Sequence, residues 1–381
     1  MASRRDPWLD NVKMLLVTLV VIGHTVPMVG RSDWANQTYD FIYYFHIPAF
    51  VLVTGYLSRS FTWSRRHLLA LVTTLAVPYT IFEPALVAYR RAIGLEVGEA
   101  PMWLEPHWTM WYLVAVFFWR LATPVLKVHW VMLPASVVVS VASGFFELPE
   151  LALDRILALL PFFVAGLYLR PEHLELLRPA RWMPVGLAGL AVLWWWAGRT
   201  DDWAVTRYLL WDRPYADFVR YGFSDGDSVR IRLTVMAIAF AACAAVLAAV
   251  PRGRHWFSTW GTASLVVYLF HGFFVRSADA FEWFEFGRDN PELGLLAGIG
   301  FGIAVACFLG SPPVAAVGTW FVDPVGSVQR AYRKRSVQAP VGGPEGRGGA
   351  GGPSGSGGPQ SGDTAEDSTA SHADATPRSG A

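Results

Sequence analysis

The sequence is short of cysteine and of charge. Two cysteines, Cys243 and Cys307, stand in 381 residues, both inside apolar stretches. They cannot supply a disulfide framework or a thiolate metal site, and each reads as a small buried hydrophobe. Charged residues make up 16% of the chain, against about 25% in soluble domains. The formal net charge is +1 and no basic cluster is interleaved with aromatics, so no nucleic-acid partner is expected. No internal repeat stands out, which argues against a transporter built from inverted halves.

Apolar and aromatic residues fill the space: 53% of the chain is hydrophobic, with 18 Trp and 24 Phe. A bilayer-spanning helix needs about 20 largely apolar residues. Such stretches lie at about 12–30, 39–58, 67–88, 108–126, 130–147, 154–169, 183–198, 231–250, 262–278 and 293–310. The chain is therefore expected to be an all-α integral membrane protein with about ten transmembrane helices. The first apolar run is longer than a signal-peptide core and is followed by further spans, so it reads as a helix that is kept. Pro312 and Pro313 predict the end of the tenth helix, leaving 314–322 as an interfacial or re-entrant piece.

Orientation follows from the basic residues. One set of connections carries Arg4 and Arg5, then Arg59, Arg65 and Arg66, Lys127, Arg170, Arg178 and Arg181, Arg252 and Arg254, and the cluster Arg330 to Arg335. The alternate set is acidic or mixed, with Glu96, Glu99 and Glu105 in one connection and five acids in 279–292. By the positive-inside rule both termini are cytoplasmic and the protein sits in the cell membrane. Residues 1–11 form a cytoplasmic N-terminus and 12–325 a polytopic membrane domain. The Gly/Ser/Pro-rich tail, 336–381, is expected to be disordered and dispensable for chemistry. The long external connection 199–230 mixes Asp, Arg, Trp and Tyr, and reads either as an ordered surface loop or as a segment that covers or lines a site on that face.

The first helix is the most informative element. Lys13 and His24 are eleven residues apart. At about 100° per residue they share one helix face, separated by ~16 Å along the axis. Asp10 lies on that face and pairs with Lys13 at i,i+3. The second helix runs back and carries His46, which the midpoint of the connecting loop places at the depth of His24. Histidines inside a bilayer are costly unless they face a polar cavity, and neutral imidazole is a suitable base near physiological pH. A site is the preferred reading; packed, hydrogen-bonded histidines are the other.

These residues carry a resemblance. Arg5-Asp6 with Asp10 and Lys13, the spacing to Gly23-His24, and Phe45-His46-Ile47-Pro48-Ala49-Phe50 before Gly55-Tyr56 resemble the membrane-bound acyltransferase family 3. So do Arg65-Arg66 leading into Val77-Pro78-Tyr79, Trp111-Tyr112-Leu113 and Tyr268-Leu269-Phe270-His271. The likeness is strongest to the fucose 4-O-acetylase-like branch and covers residues 5 to about 320. Relatives commonly carry Arg where Lys13 stands and Ser where Thr54 stands. The resemblance implies an O-acyltransferase, moving an acetyl or other acyl group from cytoplasmic acyl-CoA to a hydroxyl of a sugar, glycan or glycolipid. Acetyl-CoA is then a co-substrate, with no bound cofactor and no metal.

On that reading, His24 is the general base or a covalent acyl acceptor, and Lys13 serves the donor side. His46, Tyr268 and His271 are candidates for the oxyanion donor or for acceptor positioning. Glu83, flanked by Pro78 and Pro84, orients a histidine or pairs with a helix-end arginine. Arg65 and Arg66 are candidates for coenzyme A phosphates beside the Lys13 end of the first helix. Trp108, next to His107, is a candidate sugar contact. The alternative is a multi-pass transporter or flippase, with Lys13, His24 and Glu83 as a proton or substrate path; a non-catalytic scaffold is a third.

Overall fold

A computed structural model describes residues 6–98 and 101–330. The tail expected to be disordered, the basic residues Arg4, Arg5, Arg333, Lys334 and Arg335, and Glu99 lie outside those residues. Every regular element among the described residues is helical. Six helical segments are long and apolar enough to cross a bilayer, and a seventh is reached if a pair bent by 57° counts as one span. The chain is an all-α, multi-pass membrane protein.

The first helix, α1 (Pro7–Thr25), starts earlier than its apolar run because Asp6 caps it: its side chain accepts from the Trp8 N–H, and Pro7 occupies the first turn. It ends at a short 3-10 turn, Val26–Met28, which contains Pro27. Ser32 caps α2 (Asp33–Ser58), accepting from Ala35 N. At 26 residues α2 runs about 39 Å, long enough to cross with tilt. The third expected span is split. The helix α3 (Arg65–Leu71) passes through a π-helical stretch, Val72–Ala76, into α4 (Val77–Ala92). Pro78, which has no N–H to give, lies where the wide turns end.

The remaining elements are α5 (Trp111–Leu126), α6 (Met132–Ser143), α7 (Leu153–Ala158), α8 (Leu160–Tyr168), α9 (Pro171–Leu177), α10 (Trp182–Ala197), α11 (Asp225–Ala249), α12 (Ser264–Ala280), α13 (Pro291–Gly310) and α14 (Pro312–Val322). Each of the ten expected stretches meets a helix. Several of those helices are shorter than a full span: α6, α10 and α12 have 12, 16 and 17 residues, and the sixth stretch is the bent pair α7–α8. The apolar run beyond Pro312 is helical as α14.

Packing puts α1 in the middle, against α2, α12 and α13. Val12, Leu16, Val17 and Val21 are fully buried there. Where helices touch most closely, small residues make room. A side chain on Gly55 of α2 would strike the Phe163 carbonyl of α8, and one on Gly166 of α8 would strike the Leu52 carbonyl. In a bilayer, where lipid tails are as apolar as leucine, such backbone approach supplies much of the association.

Candidate functional site

The last turn of α1, the 3-10 turn Trp108–Met110 that leads into α5, and the middle of α12 converge at His24. Its ring lies 4.7 Å from the Trp108 ring, tilted by 58°, and 5.6 Å from the His271 ring, stacked at 22°. Trp108 and His271 are themselves 5.6 Å apart. His24 is half-buried, whereas His271 is fully buried. The three rings close a triangle whose corners come from residues 24, 108 and 271.

Backbone and side chains hold each corner. Trp108 has φ of 53°, a left-handed conformation that is unfavourable for a large side chain and persists only where surroundings impose it. The Arg276 guanidinium sits 4.2 Å above its indole, and a side chain on Gly272 would come within 2.9 Å of the same ring. His271 Nδ1 lies 2.5 Å from the Tyr268 carbonyl, which can only accept. The proton is therefore on Nδ1, and Nε2 is left as a lone-pair acceptor, buried and without a partner among the described residues. Tyr268 donates its hydroxyl to the Thr109 carbonyl, which ties α12 to the turn carrying Trp108.

Glu83 completes the support. It is fully buried on α4, and its Oε1 accepts from both the backbone N–H of His107, at 3.0 Å, and His107 Nδ1, at 2.5 Å. The sequence offered a histidine or a helix-end arginine as its partner; the histidine is His107, one residue before Trp108. A carboxylate gripping both backbone and side chain at that point pins the strained turn. Its second oxygen, Oε2, is buried without a partner among the described residues. Buried polar atoms are seldom left so, and they mark places where a ligand or water can be received.

His46 stands slightly apart. It is within electrostatic range of His24, but its Nδ1 donates to the Ile42 carbonyl of its own helix at 2.7 Å. Its ring meets Tyr43 edge-on at 4.6 Å, and the Tyr43 hydroxyl reaches the Gly23 carbonyl at 3.5 Å. The link between the two helices at this depth is therefore an aromatic bridge through Tyr43, a residue that sequence reasoning passed over.

At the other end of α1, Lys13 Nζ binds Asp10 Oδ1 at 2.7 Å, as the i,i+3 spacing predicts. Arg65 and Arg66 are exposed at the start of α3, which packs on α5. They are not the cations that reach the first turn of α1. Arg178 pairs with Asp6 and lies 5.5 Å over the Trp8 ring, and Arg252 lies 5.8 Å over the same ring. Arg254 and Asp10 line a cavity of about 160 Å³ beside them. Asn11 fixes this arrangement by donating to the Pro251 and Gly253 carbonyls, each at 2.9 Å. All three arginines belong to the basic connections counted for orientation, yet nothing local in the sequence says which connection folds under α1.

The arrangement can accept and pass on a proton. Imidazoles and aromatic rings are packed inside the helices, while a cationic mouth sits about three helical turns away on the same element. No group of three or more His, Cys, Asp or Glu able to hold a metal occurs among the described residues.

Comparison with known proteins gives the chemistry a family. The model of the family described as "Acyltransferase domain" matches residues 6–311. The Nodulation protein NolL of Sinorhizobium fredii (strain NBRC 101917 / NGR234) is 26% identical over 361 residues, covering 86% of this chain and 92% of that protein. The Nodulation protein NolL of Mesorhizobium japonicum (strain LMG 29417 / CECT 9101 / MAFF 303099) is 37% identical over 60 residues, 15% of this chain and 16% of its own. No solved structure matches. The family match spans α1 to α13 and contains Lys13, His24, Glu83, Trp108 and His271: the chain belongs to the Acyltransferase domain family.

Proposed function

We propose that this membrane acyltransferase is an O-acetyltransferase of the fucose 4-O-acetylase-like kind, moving an acetyl group from acetyl-CoA at the cytoplasmic face to a hydroxyl of a sugar or glycan. The observation that carries the reading is the triangle of His24, Trp108 and His271 at the far end of a helix whose near end is cationic. His24 takes the proton of the acceptor hydroxyl as its oxygen attacks the thioester carbonyl. The C–S bond then breaks, the proton passes to the departing sulfur, and coenzyme A leaves as the free thiol. Because the His271 proton is committed to the Tyr268 carbonyl, its Nε2 serves as a second acceptor, taking a hydrogen bond from a neighbouring hydroxyl of the same sugar and so orienting the ring beside His24. Tyr268 ties α12 to the turn carrying Trp108, His46 packs edge-on against Tyr43, and Glu83 positions Trp108 through His107.

On the donor side, Lys13, Arg178, Arg252 and Arg254 receive the phosphates of coenzyme A, with exposed Arg65 and Arg66 adding to the positive field of that face. Asp10 is buried and Lys13 half-buried, and an i,i+3 ion pair is worth only about 0.2–0.5 kcal/mol to an isolated helix, so the pair by itself is a weak stability reason for placing Lys13 there. The protein operates in the cell membrane, with the acceptor approaching from outside.

The test is transfer of label from radioactive acetyl-CoA to a panel of sugars by the purified protein in detergent. Acetylated sugar whose appearance depends on His24 is the expected result. Label that stays with coenzyme A for every acceptor, while the protein moves a solute across vesicles, would favour the transporter reading.

A further inference from the structure

A second polar feature lies just beyond His24 and takes no part in the chemistry above. A cavity of about 360 Å³ opens between the turn that ends α1 and the start of α2, lined by Val26 and Pro27 on one side and by Asn36, Tyr39 and Asp40 on the other. Arg31 and Thr206 complete its rim. Asp40 is 3% exposed, yet it belongs to the cavity wall. Its Oδ1 accepts from the Thr206 hydroxyl at 2.8 Å. A carboxylate has about four lone-pair positions, so this bond, even with the Thr200 hydroxyl also in range, leaves capacity for a ligand. Burying a carboxylate deep in a helix of this family is expensive, and packing alone does not call for it.

Geometry ties the cavity to the reacting centre. Val26 and Pro27 follow His24 by two and three residues, less than one helical turn. Tyr39 stacks on Tyr43 at 4.0 Å, and Tyr43 in turn meets the His46 ring. Thr206 comes from the long connection between α10 and α11, so that connection lines this cavity. The wall offers a buried acceptor in Asp40, an amide in Asn36, a fork of donors in Arg31 and an aromatic ring in Tyr39. That set suits a ring with adjacent hydroxyls and an apolar face. One carboxylate and one guanidinium nearly cancel, so the wall carries no field that would draw a polyanion.

Resting on the acetyl-transfer reading, we infer that this cavity is the acceptor subsite, binding a neutral, polyhydroxylated sugar ring with Asp40 receiving two of its hydroxyl protons as hydrogen bonds. A site built to bond a hydroxyl rejects the analogue that lacks it, because its own buried polar group is then left unpaired.

The experiment measures steady-state acetyl transfer by the full-length protein to methyl glycosides of neutral hexoses and 6-deoxyhexoses, their single-deoxy analogues and a uronic acid. The wild type is expected to prefer the neutral glycosides and to discriminate against one deoxy position by about 100-fold or more. Asp40→Asn is expected to raise the acceptor KM about ten-fold or more while the acetyl-CoA KM stays within two-fold, and to flatten the deoxy discrimination. Asn36→Ala, at an exposed position where folding is not at stake, is expected to raise the acceptor KM several-fold. If the wild type acetylates a glycoside and both variants keep its acceptor KM and deoxy profile, the subsite is wrong and the transfer reading stands. If the wild type acetylates no member of the panel, the transfer reading falls and takes the subsite with it. Preference for the uronic acid would overturn the neutral assignment.

Discussion

The two ends of α1 solve different problems with different materials. The His24 end, outer in the proposed orientation, is a packed cluster in which His24, Trp108 and His271 touch through their rings and buried polar atoms go unpaired among the described residues. The Lys13 end, inner in that orientation, is a set of partly exposed ion pairs and cation–π contacts around Asp6, Trp8, Asp10 and Lys13. Packed rings tolerate little displacement, so the outer end can hold a hydroxyl at fixed distance from a base. Partly exposed charges are soft and screened by salt, which suits capture and release of an anionic donor. Precision belongs to one end and attraction to the other.

If that contrast is right, disturbing the outer end lowers turnover and disturbing the inner end weakens donor capture. The largest effect is expected from His24→Ala, which should lower kcat for acetyl transfer by about 100- to 10,000-fold, the usual worth of a positioned general base. Retained turnover would remove His24 from the chemistry. Glu83→Ala comes next: it strands the buried His107 N–H and Nδ1, costing about 1–3 kcal/mol, read as a lower melting temperature in detergent. Gly272→Val should cost about 1–3 kcal/mol by overpacking, because its side chain meets Trp108, and should lower kcat more than it raises the acetyl-CoA KM. Smaller still, Lys13→Ala should raise the acetyl-CoA KM several-fold at low salt, with the difference shrinking as ionic strength rises. A salt-independent loss of kcat from Lys13→Ala would erase the distinction between the two ends.

Much of this was readable in advance because period and charge are local signals. The shared face of Lys13 and His24, the Asp10–Lys13 pair and the helical stretches follow from spacing alone. Glu83 could be picked out as a buried carboxylate, and one of its two offered partners was a histidine. What spacing cannot supply is which distant elements meet. Residues 24, 108 and 271 are joined only once α1, α5 and α12 pack. The left-handed backbone at Trp108 carries no sequence signal, since nothing but its surroundings imposes it. The same limit applies to the cations beside α1: Arg65 and Arg66 are nearer α1 in sequence, yet Arg178 and Arg252 fold onto Trp8. Asp40 was hidden for a simpler reason, being one acid in a helix where the eye goes to His46.

Sidedness tests the central claim most directly, since the account has donor and acceptor arriving at opposite ends of one helix. Right-side-out membrane vesicles carrying the protein would be loaded with labelled acetyl-CoA and given a neutral glycoside outside. Acetylated glycoside should appear in the outer medium, and inside-out vesicles should need the donor outside and the glycoside trapped within. Transfer only when both substrates share one face would contradict the division of α1 into a donor end and a reacting end.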